Sequence, residues 1–262
     1  MDIEGMDFVN SVEKIGKICK IDIQRSNGRE LTQKEIDEKK HKESLENALI
    51  TAHNFYRKLF GYSKAPQAYL EKRGFNEETL LKFEIGFASN DWAKFIDHAT
   101  NYHSKTNLEQ ASLISKNTEG KYFDRYRNRI LFPIHNHIGK LTGFAGRAID
   151  PKEKIKYINP ANGLLYQKSQ VIFGLYQATK AIKKHNEIYV VEGYTDVLRF
   201  HQLGVSNVVS LSGTKLSQAQ IILLKKYSKN ITLCLDNDSA GQKAIIDNID
   251  KLIKEDIERL SK

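Results

Sequence analysis

The chain has 262 residues, of which 40% are hydrophobic and 28% charged, and its formal net charge is +9. Its two cysteines, Cys19 and Cys234, are too few and too far apart for a disulfide framework or a Cys-rich zinc site. No apolar run approaches the ~20 residues that span a bilayer, and the acidic, mixed N-terminus is unlike a signal peptide. We therefore expect a cytoplasmic globular protein with no membrane partner. Its charge favours a polyanionic partner, and the alternative is a basic protein from a lysine-rich proteome.

Helical periodicity dominates the first part of the chain. Hydrophobic residues at helical spacing predict a short helix over residues 1–23, followed by a polar, charge-dense segment up to residue 42. Thr32 and Glu35 fit a capping box at the start of a long helix, which Gly61 is expected to end. Asn76 is expected to cap a further short helix over residues 77–82.

Residues 122–134 are strand-like and basic. Arg125, Arg127 and Arg129 follow an i, i+2 spacing, which on a strand places three guanidinium groups on one face. Three arginines on one face repel one another and suit bidentate contacts with phosphate groups. The alternative is an ordinary solvated face.

A hairpin is expected next, because Gly139-Lys140 separates two strand-like segments. In the second of these segments, Arg147 lies near Gly143 and Gly146. This combination fits a close approach of the backbone to an anion.

From residue 185 the pattern changes to alternating strands and helices. The expected elements are, in order, residues 187–191, 196–203, 205–211, 217–227, 231–235 and one long helix from residue 240 to the end. Such alternation predicts a parallel sheet with right-handed crossovers. The turn over residues 210–215 combines small residues with Lys215 and suits a phosphate group.

Carboxylates follow two of these strands. Glu192 comes directly after residues 188–191, while Asp236 and Asp238 follow residues 231–235. Parallel strands would bring all three to one edge, where carboxylates about 4 Å apart repel by roughly 4 kcal/mol at an effective dielectric of about 20. A divalent cation relieves that repulsion, and hard oxygen ligands indicate Mg²⁺ or Mn²⁺. The alternatives are an acid near a helix N-cap for Glu192 and an Asx turn for the Asp pair.

Several motifs resemble known families. Three resemble the TOPRIM domain of primases, topoisomerases, some nucleases and recombination factors: Glu192-Gly193-Tyr194-Thr195-Asp196, Ser212-Gly213-Thr214 and Asp236-Asn237-Asp238-Ser239-Ala240-Gly241. Four more resemble the catalytic core of DnaG-type bacterial primases: residues 122–134, Gly143-Phe144-Ala145-Gly146-Arg147, Lys156-Tyr157-Ile158-Asn159-Pro160 and residues 172–176. Residues 4–9 resemble the end of that family's zinc-binding domain. The resemblance covers nearly the whole chain, with the motifs in the family's order.

The resemblance implies a DNA primase, a nucleotidyltransferase that makes short RNA primers during replication. Its implied partners are a single-stranded DNA template, ribonucleoside triphosphates, the RNA primer and, through a domain absent here, the replicative helicase. The implied cofactor is Mg²⁺ or Mn²⁺, with zinc only in the domain missing from this chain, and the implied location is the cytoplasmic replication fork. Two alternatives stay open: a non-catalytic TOPRIM module that binds single-stranded DNA, and a TOPRIM nuclease or topoisomerase relative.

The family's functional residues carry over onto matching positions. The metal cluster would comprise Glu192, Asp196, Asp236 and Asp238, of which Glu192, Asp236 and Asp238 would also be catalytic. The implied contacts with nucleic acid and nucleotides are Arg125, Arg127, Arg129, Arg147, Lys156, Asn159, Lys168 and Lys215.

The expected fold class is α/β, with an α+β basic N-terminal subdomain followed by a TOPRIM-type parallel sheet that is incomplete at its C-terminus. Residues 1–42 are expected to be a helix and linker that follow a missing zinc-binding domain. Residues 43–184 would form the basic subdomain, and residues 185–262 a truncated TOPRIM domain. The expectation is thus a primase fragment, with full activity from this segment in doubt.

Overall fold

The computed structural model describes residues 32–211, 216–235 and 259–261, together with Val12, Ile15, Gly16, Ile18 and Cys19. The chain divides into two compact units, Met1–His41 and Lys42–Lys262. The five separate residues in the first unit are all helical, as predicted for that segment. The predicted domain boundaries after residues 42 and 184 stay predictions.

The helices and strands are named in chain order. They are α1 (Gln33–Tyr62), α2 (Lys64–Lys72), α3 (Glu77–Lys82), β1 (Gly86–Ala88), α4 (Lys94–Ala99), α5 (Lys105–Gln110), β2 (Ile114–Lys116), β3 (Tyr122–Asp124), β4 (Arg129–His135), β5 (Leu141–Ala148), β6 (Tyr157–Ile158), α6 (Leu175–His185), β7 (Ile188–Val191), α7 (Tyr194–Gln202), β8 (Val208–Ser210), α8 (Gln218–Lys225), β9 (Asn230–Cys234) and β10 (Arg259–Ser261).

Side-chain caps begin two helices where the sequence predicts them. At α1 the Thr32 N–H donates to Oε2 of Glu35 at 2.8 Å, and the Glu35 N–H donates to Oγ1 of Thr32 at 3.3 Å. At α3 the Asn76 side chain accepts a hydrogen bond from the Thr79 N–H at 2.9 Å. Both caps satisfy N–H groups that have no partner inside their helix. The predicted capping box and the predicted Asn76 cap are therefore confirmed.

The predicted end of α1 at Gly61 is wrong, because the helix continues through Gly61 to Tyr62. Gly61 does not adopt the left-handed conformation with which glycine usually ends a helix. The break comes at Ser63, whose hydroxyl donates to the Leu59 carbonyl at 2.7 Å.

The first sheet is antiparallel and has the strand order β1-β4-β5-β6. Its central strand β4 is buried on both faces. Leu131 packs with residues of α1, α4 and α5, whereas Ile130, Phe132 and Ile134 pack in a second core on the other side. This alternation is the period-2 pattern of a strand. The turn into β5 confirms the predicted hairpin, and Gly139 takes a φ of +83° there.

The second sheet is parallel, with the order β10-β9-β7-β8. Helices α7 and α8 connect β7 to β8 and β8 to β9, which confirms the predicted α/β alternation. The predicted C-terminal helix is wrong over Arg259–Ser261, because these residues pair with β9 as a parallel strand and Leu260 lies opposite Ile231. The rest of that predicted helix lies outside the described residues.

The two sheets share a hydrophobic core. Phe132 of β4 packs there with Phe173, with Tyr194 and Val197 of α7, and with other apolar side chains. A backbone bridge also joins Phe173 to Ser210 at the end of β8, with N–H to carbonyl distances of 2.8 and 2.9 Å. The start of α7 is therefore fixed against the antiparallel sheet. None of the helices in the described part of the chain is both long and apolar enough to cross a membrane.

Buried Asp124 ties β3 to the start of α4. Its two carboxylate oxygens accept hydrogen bonds from the Phe95 N–H at 2.8 Å and the Ile96 N–H at 3.0 Å. Burial raises the pKa of Asp124 to about 6, although these two N–H donors oppose the shift. Above that pH the carboxylate is charged and holds both donors.

We predict that Asp124→Ala lowers the free energy of unfolding by about 1–3 kcal/mol, because it leaves two buried N–H groups without an acceptor. Asp97→Ala is the matched control, since Asp97 is an exposed aspartate within α4, the helix that Asp124 caps. Urea unfolding at pH 8, followed by circular dichroism, measures both. Equal losses in the two variants would contradict the role given to Asp124.

Candidate functional site

The carboxyl ends of three parallel strands lie side by side in the second sheet. Val191 of β7 is paired with Ser210 of β8 and with Cys234 of β9. Glu192 follows Val191, is half-buried, and accepts a hydrogen bond on its main-chain carbonyl from the Ser210 hydroxyl at 2.6 Å. The parallel register that the predicted acidic cluster needs is therefore present at this edge.

Asp236 and Asp238 lie outside the described residues, immediately beyond the end of β9. Within the residues that the structure describes, no three His, Cys, Asp or Glu side chains form a group that could hold a metal ion. The described members of the predicted cluster are Glu192 and Asp196.

Gly193 follows Glu192 and is the N-cap residue of α7, with an extended backbone. Its N–H donates to Oδ2 of Asp196 at 3.0 Å. A Cβ on Gly193 would lie 2.7 Å from that oxygen, so a larger residue here would require the Asp196 side chain to shift. Asp196 is exposed in the first turn of α7, where the helix dipole favours a carboxylate. Asp196 thus caps the helix, with one carboxylate oxygen bound to the N–H of the residue that follows Glu192.

Tyr194 connects residues 192–196, which we call the acidic loop, to the basic residues of the earlier part of the chain. Its hydroxyl donates to Oδ1 of Asn159 at 2.7 Å. The main-chain carbonyl of Asn159 in turn accepts a hydrogen bond from the Arg125 guanidinium at 2.9 Å. Two residues predicted to bind nucleic acid or nucleotides therefore lie within two hydrogen bonds of the Glu192 loop.

Arg147 is held by two tyrosines, Tyr69 and Tyr157, for which the sequence analysis predicted no functional role. Its guanidinium donates to the Tyr69 hydroxyl at 3.0 Å and to the Tyr157 hydroxyl, and it lies over the Tyr157 ring at 5.1 Å. Tyr157 lies between Lys156 and Asn159, which is a usable sequence signal. Tyr69 is far from Arg147 in the chain, and no local pattern indicates the contact.

The expectation that two glycines allow an anion to approach near Arg147 is wrong. A Cβ on Gly143 would lie 2.7 Å from Cγ of Pro160, and one on Gly146 would lie 2.8 Å from Cδ1 of Tyr126. These glycines therefore make room for neighbouring side chains.

Arg127 stacks on Trp92, which the sequence analysis also missed. The guanidinium carbon lies 3.2 Å from the ring centroid, and 61% of Trp92 is exposed to solvent. An exposed tryptophan that carries an arginine is a flat, cationic surface on which a nucleobase can stack. Trp92 is the only tryptophan in the sequence and follows three polar residues, Ser89, Asn90 and Asp91, which is the signal that could have indicated it.

The prediction that Arg125, Arg127 and Arg129 share one strand face is wrong. Strand β3 ends at Asp124 and β4 begins at Arg129. Between the strands, Asn128 has a φ of +48°, a left-handed conformation that interrupts an extended segment. The i, i+2 spacing therefore does not align the three side chains.

The Arg129 side chain is buried. Its guanidinium donates to the carbonyls of Gly146, Ile155 and Lys156 at 3.3, 2.9 and 3.2 Å and lies 3.9 Å from Glu153. Burial lowers the pKa of Arg129, and nearby Glu153 opposes that effect. These contacts join β4 to β5 and to the segment before β6. Nucleic-acid binding by Arg129 stays a prediction that this buried position argues against.

The predicted lysines differ in their surroundings. Lys156 and Lys168 are exposed, and the Lys168 N–H donates to Oδ1 of Asn162 at 2.9 Å. The Lys168 carbonyl accepts a hydrogen bond from Gln220 of α8 at 3.2 Å, which ties this loop to the parallel sheet. Lys215 lies outside the described residues.

Two protein families match the chain. The family described as "DNA primase catalytic core, N-terminal domain" matches residues 54–179, and the family described as "Toprim-like" matches residues 189–261. The solved E. coli primase catalytic core superposes with a TM-score of 0.77 at 30% identity, over 82% of this chain and 70% of that chain. The chain belongs to the DnaG-type primase family.

This chain is also similar in sequence and structure to other members of the DnaG-type primase family. A DNA primase of Halalkalibacterium halodurans is 34% identical over 97% of this chain and 42% of its own length. One from Legionella pneumophila is 38% identical over 78% of this chain and 36% of its own length. A solved DnaG primase catalytic domain bound to single-stranded DNA has a TM-score of 0.78 at 29% identity, over 84% of this chain and 72% of that chain. The chain spans less than half the length of these curated relatives.

We predict that Arg129→Met lowers the free energy of unfolding by about 2–4 kcal/mol, because three carbonyls lose a charged donor. Arg127→Met, which disrupts only the stack on exposed Trp92, is expected to cost less than about 1 kcal/mol. Urea unfolding followed by circular dichroism compares the two variants. If Arg127→Met proves as destabilising as Arg129→Met, the structural role assigned to Arg129 is incorrect.

Proposed function

We propose that this chain is the catalytic core of a DNA primase, which joins ribonucleotides into short RNA primers on a single-stranded DNA template. The observation that supports this most directly is the link from the acidic loop to the basic residues. Glu192 lies two residues before Tyr194, Tyr194 hydrogen-bonds to Asn159, and Asn159 hydrogen-bonds to Arg125. Phosphoryl transfer needs carboxylates for a cation and basic groups for phosphates close together, because the enzyme contributes mainly positioning and charge neutralisation.

Mg²⁺ or Mn²⁺ is proposed to be held by Glu192 and Asp196 of the acidic loop, together with Asp236 and Asp238 after β9. Toprim domains generally bind divalent metal ions, and this donor set consists only of carboxylate oxygens, which such ions prefer. When bound, the cation would supply positive charge for the triphosphate and for the attacking primer 3′-hydroxyl. In this proposal Glu192 contributes a carboxylate directly after β7, whose last residue, Val191, is paired with both neighbouring strands.

The basic residues are proposed to hold the template and the incoming nucleotide. Arg125 and Asn159 are placed next to the acidic loop, and Arg147 is oriented by two tyrosine hydroxyls. Trp92 with Arg127 adds a stacking surface. The remaining proposed contacts are Lys156, Lys168 and Lys215.

The proposal extends to the partners and location of the whole protein. Its substrates would be ribonucleoside triphosphates, its template single-stranded DNA and its product an RNA primer. We place it at the cytoplasmic replication fork, where the replicative helicase would bind through a different domain. Any zinc would belong to a further domain.

The test is RNA synthesis by the 262-residue chain on single-stranded DNA, with radiolabelled ribonucleoside triphosphates and Mg²⁺ or Mn²⁺. We expect labelled oligoribonucleotides, reduced by about 100-fold or more in Glu192→Gln, because losing one electrostatic contribution to transition-state stabilisation typically costs that much. Glu187→Gln is the matched control, since it makes the same change at the amino end of the same strand. Wild-type rates in Glu192→Gln would remove the acidic loop from the mechanism.

Two further assays, DNA binding at varied salt and plasmid nicking, separate the primase from its two alternatives. A non-catalytic module would bind single-stranded DNA with an affinity that falls steeply with salt, while incorporating no nucleotide. A nuclease or topoisomerase relative would nick or relax a plasmid instead. Either result, without labelled RNA, would contradict the primase proposal.

A further inference from the structure

Helix α7 is attached to the earlier part of the chain through its C-terminal half. The Arg199 guanidinium donates to the main-chain carbonyls of Arg73 and Gly74, the second at 2.7 Å. Gln202 accepts a hydrogen bond from the Asn76 N–H at 2.9 Å and donates to the Gly74 carbonyl at the same distance. These contacts fix the end of α7 that lies away from the acidic loop.

Tyr194 fixes the other end of α7. Only 3% of this residue is exposed. Its ring stacks on Phe132 with a centroid distance of 5.6 Å, meets Phe173 edge-on at 4.8 Å and lies 5.7 Å from the Tyr157 ring. The ring packing and the hydroxyl are separable contributions, because the Tyr194 hydroxyl bonds to Asn159 beyond the aromatic cluster.

The hydroxyl of Tyr194 determines how Asn159 can act. Oδ1 of Asn159 accepts from Tyr194, and the main-chain carbonyl of Asn159 accepts from Arg125. The side-chain group that remains is Nδ2, which carries two hydrogen-bond donors and no acceptor. Asn159 is therefore suited to bind an oxygen acceptor, such as a phosphate or a sugar hydroxyl, next to the positive charge of Arg125.

We propose that Tyr194 is a positioning residue, whose hydroxyl holds the Asn159 amide at a fixed distance from the acidic loop. One nucleoside triphosphate can then contact the cation ligands at Glu192 and the donors of Asn159 and Arg125 at the same time. This inference rests on the proposed primase function and adds to it the residue that sets the spacing between its two halves. In this proposal Tyr194 itself contacts neither the bound cation nor the nucleotide.

The test compares the binding of ATP with Mn²⁺ to the full chain and to Tyr194→Phe by isothermal titration calorimetry. Phenylalanine keeps the packed ring and removes only the hydroxyl. We expect the dissociation constant for ATP–Mn²⁺ to rise about tenfold, the usual effect of losing one functional hydrogen bond. The affinity for Mn²⁺ alone should change by less than about twofold, since the carboxylates are untouched.

A double-variant cycle makes the test specific to the Tyr194–Asn159 bond. Asn159→Ala should weaken ATP–Mn²⁺ binding, and Tyr194→Phe should add nothing further in that background, because both changes remove the same contact. Tyr189→Phe is the control. It removes a hydroxyl that bonds to Glu187 near the amino end of β7, away from the acidic loop, and should bind ATP–Mn²⁺ as the unchanged chain does.

Several results would overturn the inference. Unchanged ATP–Mn²⁺ affinity in Tyr194→Phe would show that the hydroxyl positions nothing, and additive losses in the double variant would show that it acts elsewhere. A parallel loss of affinity for Mn²⁺ alone, with a lower melting temperature, would indicate a purely structural role. If the unchanged chain fails to bind ATP–Mn²⁺, the proposed function fails first and the inference fails with it.

Discussion

Strands β7, β8 and β9 pair in parallel, so their carboxyl ends lie at the same edge of the sheet. The residues that follow these strands therefore start close together. Val191, Ser210 and Cys234 are aligned in this way, so Glu192 emerges beside the ends of two neighbouring strands. A shift of one residue in this register would turn Glu192 to the opposite face. The buried side chains of the three strands oppose such a shift, because they pack into two different cores on the two faces of the sheet and a shift would disrupt both. The proposed chemistry thus depends on hydrophobic packing beneath it.

The proposed chemistry also needs positive charge close to this edge of the sheet. That charge must not pair with the carboxylates that the cation needs. The structure achieves this through hydrogen bonds with uncharged groups. Arg125 is held by a carbonyl and Arg147 by tyrosine hydroxyls, so neither arginine depends on a carboxylate of the acidic loop for its position. The aromatic cluster around Tyr194 keeps the two regions together. The proposed function uses this separation, with the carboxylates assigned to a cation and the guanidinium groups to phosphates.

The sequence predicts local and periodic features of this fold well. The capping box at Thr32, the hairpin at Gly139 and the alternation of strands and helices after residue 185 each depend on nearby residues, and each is present. Contacts between distant segments are different. The spacing of Arg125, Arg127 and Arg129 suggests one strand, yet the left-handed Asn128 interrupts it and Arg129 is buried. The partnership of Arg147 with Tyr69 arises only when α2 packs against β5, which no local pattern encodes.

Anomalous diffraction from crystals of this chain soaked in Mn²⁺ tests the central claim most directly. The account predicts a manganese peak within about 2.0–2.4 Å of carboxylate oxygens from both Glu192 and Asp236. A peak bound elsewhere, or carboxylates of Glu192 and Asp236 more than about 10 Å apart and so beyond one Debye length, would contradict it.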